Sequence, residues 1–217
     1  MQSIRRPQHV DVLIDWNSQF HLMDDWRDGS DTPALTRKVL KSVCRRVGTL
    51  LVRVSPDRRF QLRLRAYHGW YKGFEPTPRR RAAISAQVLN PNDPEDPGLA
   101  GYSAHPTSVA VRDFQFGDRL LFARDARLHE RLGCHLPGTL QVGDHGDEEK
   151  MVDTALASDL CYLALREESW IVVVGQDRDL VPALFVAEAA MEGTSRRLFF
   201  LAKNRIKHVN LKGLLCQ

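Results

Sequence analysis

Val10-Asp11-Val12-Leu13-Ile14, closed by Asp15-Trp16-Asn17, and Ile171-Val172-Val173-Val174, closed by Gly175-Gln176-Asp177-Arg178-Asp179, are the two stretches that decide the fold. A short run of β-branched and apolar residues ended by a glycine or polar break reads as a strand buried on both faces, as in a parallel sheet. Open α/β sheets take their ligands in the crevice beyond the carboxyl ends of such strands. Both runs end in carboxylates, so both aim negative charge at one crevice. Like charges brought together need an offset, and a divalent cation is a common one. The pattern points to metal-dependent chemistry on phosphates.

Outward from these strands, Leu35, Val39, Val43, Val47 and Leu50 recur at helical spacing over 33–52, with Asp31 or Thr32 as N-cap and Pro33 at the first helical position. Lys38, Lys41 and Arg45 form a basic stripe on another face of that helix. Residues 16–32 read as a loop rich in Asp, Gly and Ser. Over 61–67, Leu62, Leu64 and Ala66 alternate with Arg63 and Arg65, which predicts a strand near a sheet edge because one side carries arginines. Residues 74–81 read as a proline- and arginine-rich turn leading into a short helix over 82–89. The prolines and glycines of 90–106 predict a long loop or lid.

Further on, 108–116 reads as extended, 119–132 as partly helical and 139–142 as a short strand. Asp147 is placed to cap a helix running to about 168, with Val152, Leu156, Leu160 and Leu163 as its apolar members. A second helix over 180–192 ends at Gly193, a C-cap signal, and 198–201 is a last strand. Alternation of strand and helix predicts one α/β domain over 1–217, with a mainly parallel sheet, helices on both faces and a poorly readable stretch around 72–140.

A chain of 217 residues has ample length for one core. Its formal charge of +4 and pI near 9.0 suit a polyanionic partner without demanding one. Basic residues come in runs, Arg79-Arg80-Arg81 the longest, and any one run could equally be a solvated face. The four cysteines include no CxxC pair, which argues against a disulfide framework or zinc knuckle and for a reducing, cytoplasmic home. No secretory signal is visible, and no apolar run approaches the roughly 20 residues of a membrane span. Absent too are HExxH, GxGxxG, Walker A and GxSxG patterns, which excludes the chemistries those devices serve. Trp16, Trp70, Tyr71 and Trp170 could stack on bases, though a tryptophan is more often core.

Asp15 is the first candidate metal ligand, with Asn17 placed to orient a bound water or phosphate; strand-end Asp is also an ordinary turn former. Lys150 and Asp153 are three apart, so on a helix they share a face. That face carries either a surface ion pair or a ligand with its offsetting cation. Asp159 falls on the apolar stripe and needs a partner, as an anchor behind the site. Asp177 and Asp179 flank Arg178 at a strand-to-helix turn, where both can reach a metal.

Taken together, Val12-Leu13-Ile14-Asp15-Trp16-Asn17, Glu149-Lys150-Met151-Val152-Asp153, Asp159 and Val174-Gly175-Gln176-Asp177-Arg178-Asp179-Leu180-Val181-Pro182 resemble the NYN domain, the PIN-like group that includes the LabA/DUF88 proteins. The resemblance extends over Glu188 to Gly193 and covers both ends of the chain, but hardly 69–139. It implies a Rossmann-like three-layer α/β/α sandwich whose acidic pocket binds Mg2+ or Mn2+ and cleaves RNA. Asp15, Asp153, Asp177 and Asp179 would be the acidic set, supported by Asn17. Gly175 stands where that family commonly has Ser or Thr, and Arg178-Asp179-Leu180 where it commonly has Ser-Asp-Phe; Arg178 would offer a different phosphate contact.

The chain is therefore expected to be a metal-dependent ribonuclease. Lys38, Lys41, Arg45, Arg79, Arg80, Arg81 and Arg178 would hold the RNA. The rivals are a non-catalytic RNA-binding or regulatory module on the same fold and a small-molecule phosphohydrolase. A homo-oligomer is compatible with the sequence, and membrane association is not expected.

Overall fold

The structure of the protein, a computed structural model, describes residues 6–23, 32–87, 105, 107–122, 139–143, 146–202 and 208–209. The expected loop over 90–106 and the expected partial helix over 119–132 lie almost entirely outside these residues.

Strands β1 (Gln8–Asp15), β2 (Phe60–Tyr67), β5 (Val109–Phe116), β8 (Trp170–Val174), β9 (Leu198–Leu201) and β10 (His208–Val209) form the main sheet, in the order β10-β9-β8-β1-β2-β5. All neighbours are parallel except the β9–β10 pair at one edge. Viewed from β1, chain order runs outward through β2 and β5 on one side, and through β8 and β9 on the other. The order thus reverses between β1 and β8, the point at which doubly wound sheets open a crevice.

The apolar runs are continuous because each of these strands is covered twice. Val10, Val12 and Ile14 of β1, with Val172 and Val174 of β8, join the core beneath helix α2 (Pro33–Val54). Leu13, Ile171 and Val173 point the other way, into a core with α4 (Val152–Arg166) and α5 (Val181–Ala190). Successive side chains on a strand alternate faces, so a strand buried on both sides has no polar phase. Burying each such Val, Leu or Ile contributes about 1.5–3 kcal/mol. Helix α2 starts as its sequence dictates: Thr32 Oγ1 accepts the Leu35 N–H at 3.2 Å, with Pro33 next in line.

β2 does lie near an edge, between β1 and the edge strand β5. Its arginines are tolerated because carboxylates meet them. Arg63 makes a bidentate pair with Asp11, both contacts at 2.8 Å, and Arg65 pairs with Asp159 at 3.0 Å. Several expectations need correction. Residues 16–32 are not all loop, since Trp16–Phe20 forms a short helix, α1, capped by Asp15. The Arg79-Arg80-Arg81 run is not a turn: it opens helix α3 (Pro78–Gln87), whose first turn a proline suits. The tryptophans Trp16, Trp70 and Trp170 are core residues, at most 2% exposed, and cannot stack on a base.

The largest correction concerns residues 146–150. They form not a helix start but a strand, β7 (Gly146–Lys150), in a second sheet of order β4-β3-β6-β7 with β3 (Tyr71–Lys72), β4 (Glu75–Pro76) and β6 (Thr139–Gly143). Met151 then turns the chain directly into α4 with φ 62°, the only non-glycine among the described residues in that region. Such a conformation costs about 1–3 kcal/mol and is kept only where its surroundings impose it. Here it carries the chain from Glu149 to Asp153 around one side of the crevice.

Candidate active site

At the carboxyl ends of β1 and β8 a cleft of about 420 Å³ is lined by Asp15, Asn17, Ser18, His21, Glu149, Asp153, Gln176 and Asp177. Asp15 is both the last residue of β1 and the N-cap of α1: its Oδ1 accepts the Ser18 N–H at 3.2 Å. Ser18 Oγ in turn donates to the Asp15 carbonyl at 3.0 Å. Opposite, the turn after β8 is held by the Asp179 N–H, which donates to Asp177 Oδ1 at 2.8 Å. Gly175 permits the close approach of the two strand ends. A Cβ there would meet the Asp15 Cβ at 3.2 Å, so a Ser or Thr in its place would press on the carboxylate.

Glu149 reaches the cleft from β7. Its Oε1 accepts the Gly69 N–H at 2.8 Å and faces Nδ1 of buried His68. A Cβ at Gly69 would meet the Leu140 side chain at 2.3 Å, so that leucine would have to move aside. Arg79 completes this wall. Its Nη1 lies 3.2 Å from Asn17 Oδ1 and 3.3 Å from His68 Nε2, with the guanidinium 4.4 Å from the Phe20 ring centroid.

The carboxylates feel one another. Burial raises the Asp15 pKa, opposed by the Ser18 hydrogen bonds and reinforced by the charges of Glu149 and Asp177. Asp153 keeps contact with solvent, yet desolvation by the cleft walls, followed by repulsion from Asp15, Asp177, Glu149 and Asp179, pushes it up to about 6. Glu149 differs. Burial would raise it, but the His68 contact, the Gly69 N–H and Arg79 outweigh burial and hold it below the usual range.

The Asp153 shift has a sign that can be tested. Its folded pKa lies above the unfolded value of 3.8, so the folded state binds the extra proton between the two. Below about pH 4 the carboxyl is neutral in both states and costs nothing. The penalty grows through the interval and is complete above about 6. Asp153→Asn should therefore raise the melting temperature at pH 7.5 in EDTA but not at pH 4. Discounted for solvent screening, the gain is about 1 kcal/mol, or roughly 3 °C for a domain of this size. Melting curves of both proteins at the two pH values check it; a loss of stability at pH 7.5 would contradict the crowding of charge around Asp153.

Of the sequence-derived residues, Asp15, Asn17, Asp153 and Asp177 come together in the cleft. Asp179 does not line it; it is exposed on the following 3-10 turn, beside exposed Arg178. Lys150 shares no helical face with Asp153. It sits on β7, exposed, and its Nζ is 2.8 Å from Glu148. Asp159 lies elsewhere, on the sheet side of α4, accepting from Arg65, Tyr67 and the Leu121 N–H. Lys38, Lys41 and Arg45 are exposed on α2. Arg80 is committed to Asp118 at 2.6 Å and lies over Tyr71 and Phe116. Arg81 is exposed and donates to the Pro76 carbonyl.

Glu149, His68 and the proximity of Arg79 were not read from sequence. With charged residues in both phases of 146–150, no local alternation marks that strand or shows that Glu149 turns inward.

Among the described residues no three His, Cys, Asp or Glu side chains already converge as a cation cage. The donor set nonetheless suits a hard divalent ion: Asp15, Asp153, Asp177 and Glu149 present carboxylate oxygens in a cleft open to water, with repulsion left over in the raised pKa values. No described helix is long and apolar enough to cross a membrane. No family model, no curated protein and no solved structure matches the chain.

Proposed function

We propose that the chain is a metal-dependent ribonuclease with a PIN-like, NYN-type fold. The observation that carries this is the convergence of Asp15, Glu149, Asp153 and Asp177 on one cleft, at the reversal of strand order in a parallel sheet. A protein that only held polyanions would gain nothing from a negative pocket at that position. Asp15, Asp153 and Asp177 would hold Mg2+ or Mn2+, which when bound lowers the pKa of water and offsets charge on a phosphodiester. Asn17 and Gln176, whose amide donates to the Ser18 carbonyl at 3.3 Å, are amides placed to orient a phosphate or water. Arg79 fixes Asn17 and supplies the nearest guanidinium. His68 and the Gly69 N–H fix the Glu149 carboxylate at the rim.

RNA is favoured over a small phosphate ester by the setting of the cleft. It is open rather than enclosed, and Lys38, Lys41 and Arg45 form a cationic stripe on the solvent-facing side of α2. Such a stripe suits a chain of phosphates. Incubating the protein with labelled single-stranded RNA is the test. Cleavage in Mn2+ that stops in EDTA is the expected result. RNA left intact in Mn2+ while a small phosphomonoester is hydrolysed would overturn the substrate assignment.

A further inference from the structure

The opposite end of the main sheet, where β8 and β9 begin, holds a second recess of about 640 Å³. That is within the roughly 300–1,000 Å³ of small-molecule sites. Trp170, Met191 and Phe199 contribute apolar walls. Two guanidinium groups stand over one indole at its mouth: Arg58 lies 5.4 Å and Arg197 5.0 Å from the Trp170 ring. Arg58 donates to Gln8, and among the described residues neither arginine has a carboxylate partner. Both cations border the recess, where an anion would find an attractive charge.

Neighbouring Arg196 does not share this role. Its guanidinium is committed to the carbonyls of Leu163, Ala164 and Ser169, closing the end of α4. Glu188, on the α5 side of the recess, supplies the second observation. Its Oε2 is buried and accepts no hydrogen bond among the described residues. A buried acceptor left unpaired is costly, and a ligand N–H or O–H would satisfy it.

The recess therefore offers an anion site, an acceptor and apolar surface between them. Inorganic phosphate answers only the arginines, and a free amino acid would leave much of the volume unfilled. We infer that the recess binds a nucleoside 5′-monophosphate, its phosphate bridging Arg58 and Arg197 and its base or sugar donating to Glu188. The nucleotide is either free or the phosphorylated 5′ end of an RNA. The site is distinct from the acidic cleft and does not depend on the chain being a nuclease.

Calorimetry on the whole chain in EDTA tests it, with adenosine 5′-monophosphate, inorganic phosphate, adenosine and a 5′-phosphorylated oligoribonucleotide as probes. The monophosphate is expected to bind more tightly than either phosphate or adenosine. Arg58→Ala and Arg197→Ala should each weaken it at least about tenfold, the scale of a lost charge-assisted contact. Arg58→Lys and Arg197→Lys keep the charge without the planar fork and should fall between. Glu188→Met should weaken the nucleotide and leave phosphate unchanged, while Asp177→Asn should change neither. The oligonucleotide arm assigns the source: binding tighter than the monophosphate and weakened by Arg58→Ala marks an RNA end, weaker binding a free nucleotide. No heat with the monophosphate at millimolar concentration, equal affinity for phosphate alone, or wild-type affinity in both alanine variants would each overturn the inference. So would loss of binding in Asp177→Asn, which would place the ligand in the acidic cleft.

Discussion

Asp177→Asn is expected to lower Mn2+-dependent RNA cleavage by about three orders of magnitude, near 4 kcal/mol of transition-state stabilisation, while leaving the melting temperature in EDTA unchanged or slightly raised. The two readouts separate because Asp177 does two jobs. Its Oδ1 caps the 3-10 turn by accepting the Asp179 N–H, and an asparagine carbonyl can do the same. The charge, in contrast, serves only the cleft, where it adds to the repulsion felt by Asp15 and Asp153. Removing it relieves the folded protein and, on the proposed reading, takes a ligand from the metal. A variant that unfolds would mean that Asp177 is structural; a folded variant of wild-type activity would remove it from the site.

Asp159→Ala should cost about 3–5 kcal/mol of stability, for the opposite reason. Asp159 is 1% exposed and accepts three hydrogen bonds, at 3.0 Å from Arg65, 2.8 Å from the Tyr67 hydroxyl and 2.8 Å from the Leu121 N–H. These tie α4 to β2 and to the segment after β5. Without the carboxylate, the Arg65 cation stays 9% exposed with only Gln115, Tyr67 and the Arg119 carbonyl around it. A buried charge without its counter-charge is the costly state, more so than the absence of both. Removing both, as in Arg65→Met with Asp159→Leu, should therefore recover much of the loss. Denaturant melts of the single and double variants decide it. A double variant no more stable than Asp159→Ala would show that the ion pair is not the origin of the effect.

What the sequence made legible follows from where burial is complete. β1 and β8 could be read because two cores remove every polar phase from them, and α2 because a capping threonine and a proline mark its start. The parallel sheet with helices on both faces followed, and so did the meeting of Asp15, Asn17, Asp153 and Asp177 in one cleft. β7 was hidden for a physical reason. Its residues Gly146-Asp147-Glu148-Glu149-Lys150 are charged and locally favour a helix start, and pairing with β6, which ends at Gly143, makes them a strand instead. That misreading hid Glu149 and gave Lys150 a role that its pairing with Glu148 does not support. The burial of the β2 arginines was hidden for a different reason, since the acids that neutralise them lie 52 and 94 residues away in sequence. Long-range ion pairs leave no local pattern.

Whether Asp15, Asp153 and Asp177 hold one divalent cation, as proposed, is tested most directly by a calorimetric Mn2+ titration of the wild-type chain beside Asp177→Asn. The expected result is saturable binding to the wild type at pH 7.5, weakened at least about tenfold in the variant, since a charged ligand is lost. Binding of equal affinity in the two proteins, or none in the wild type, would contradict the proposal.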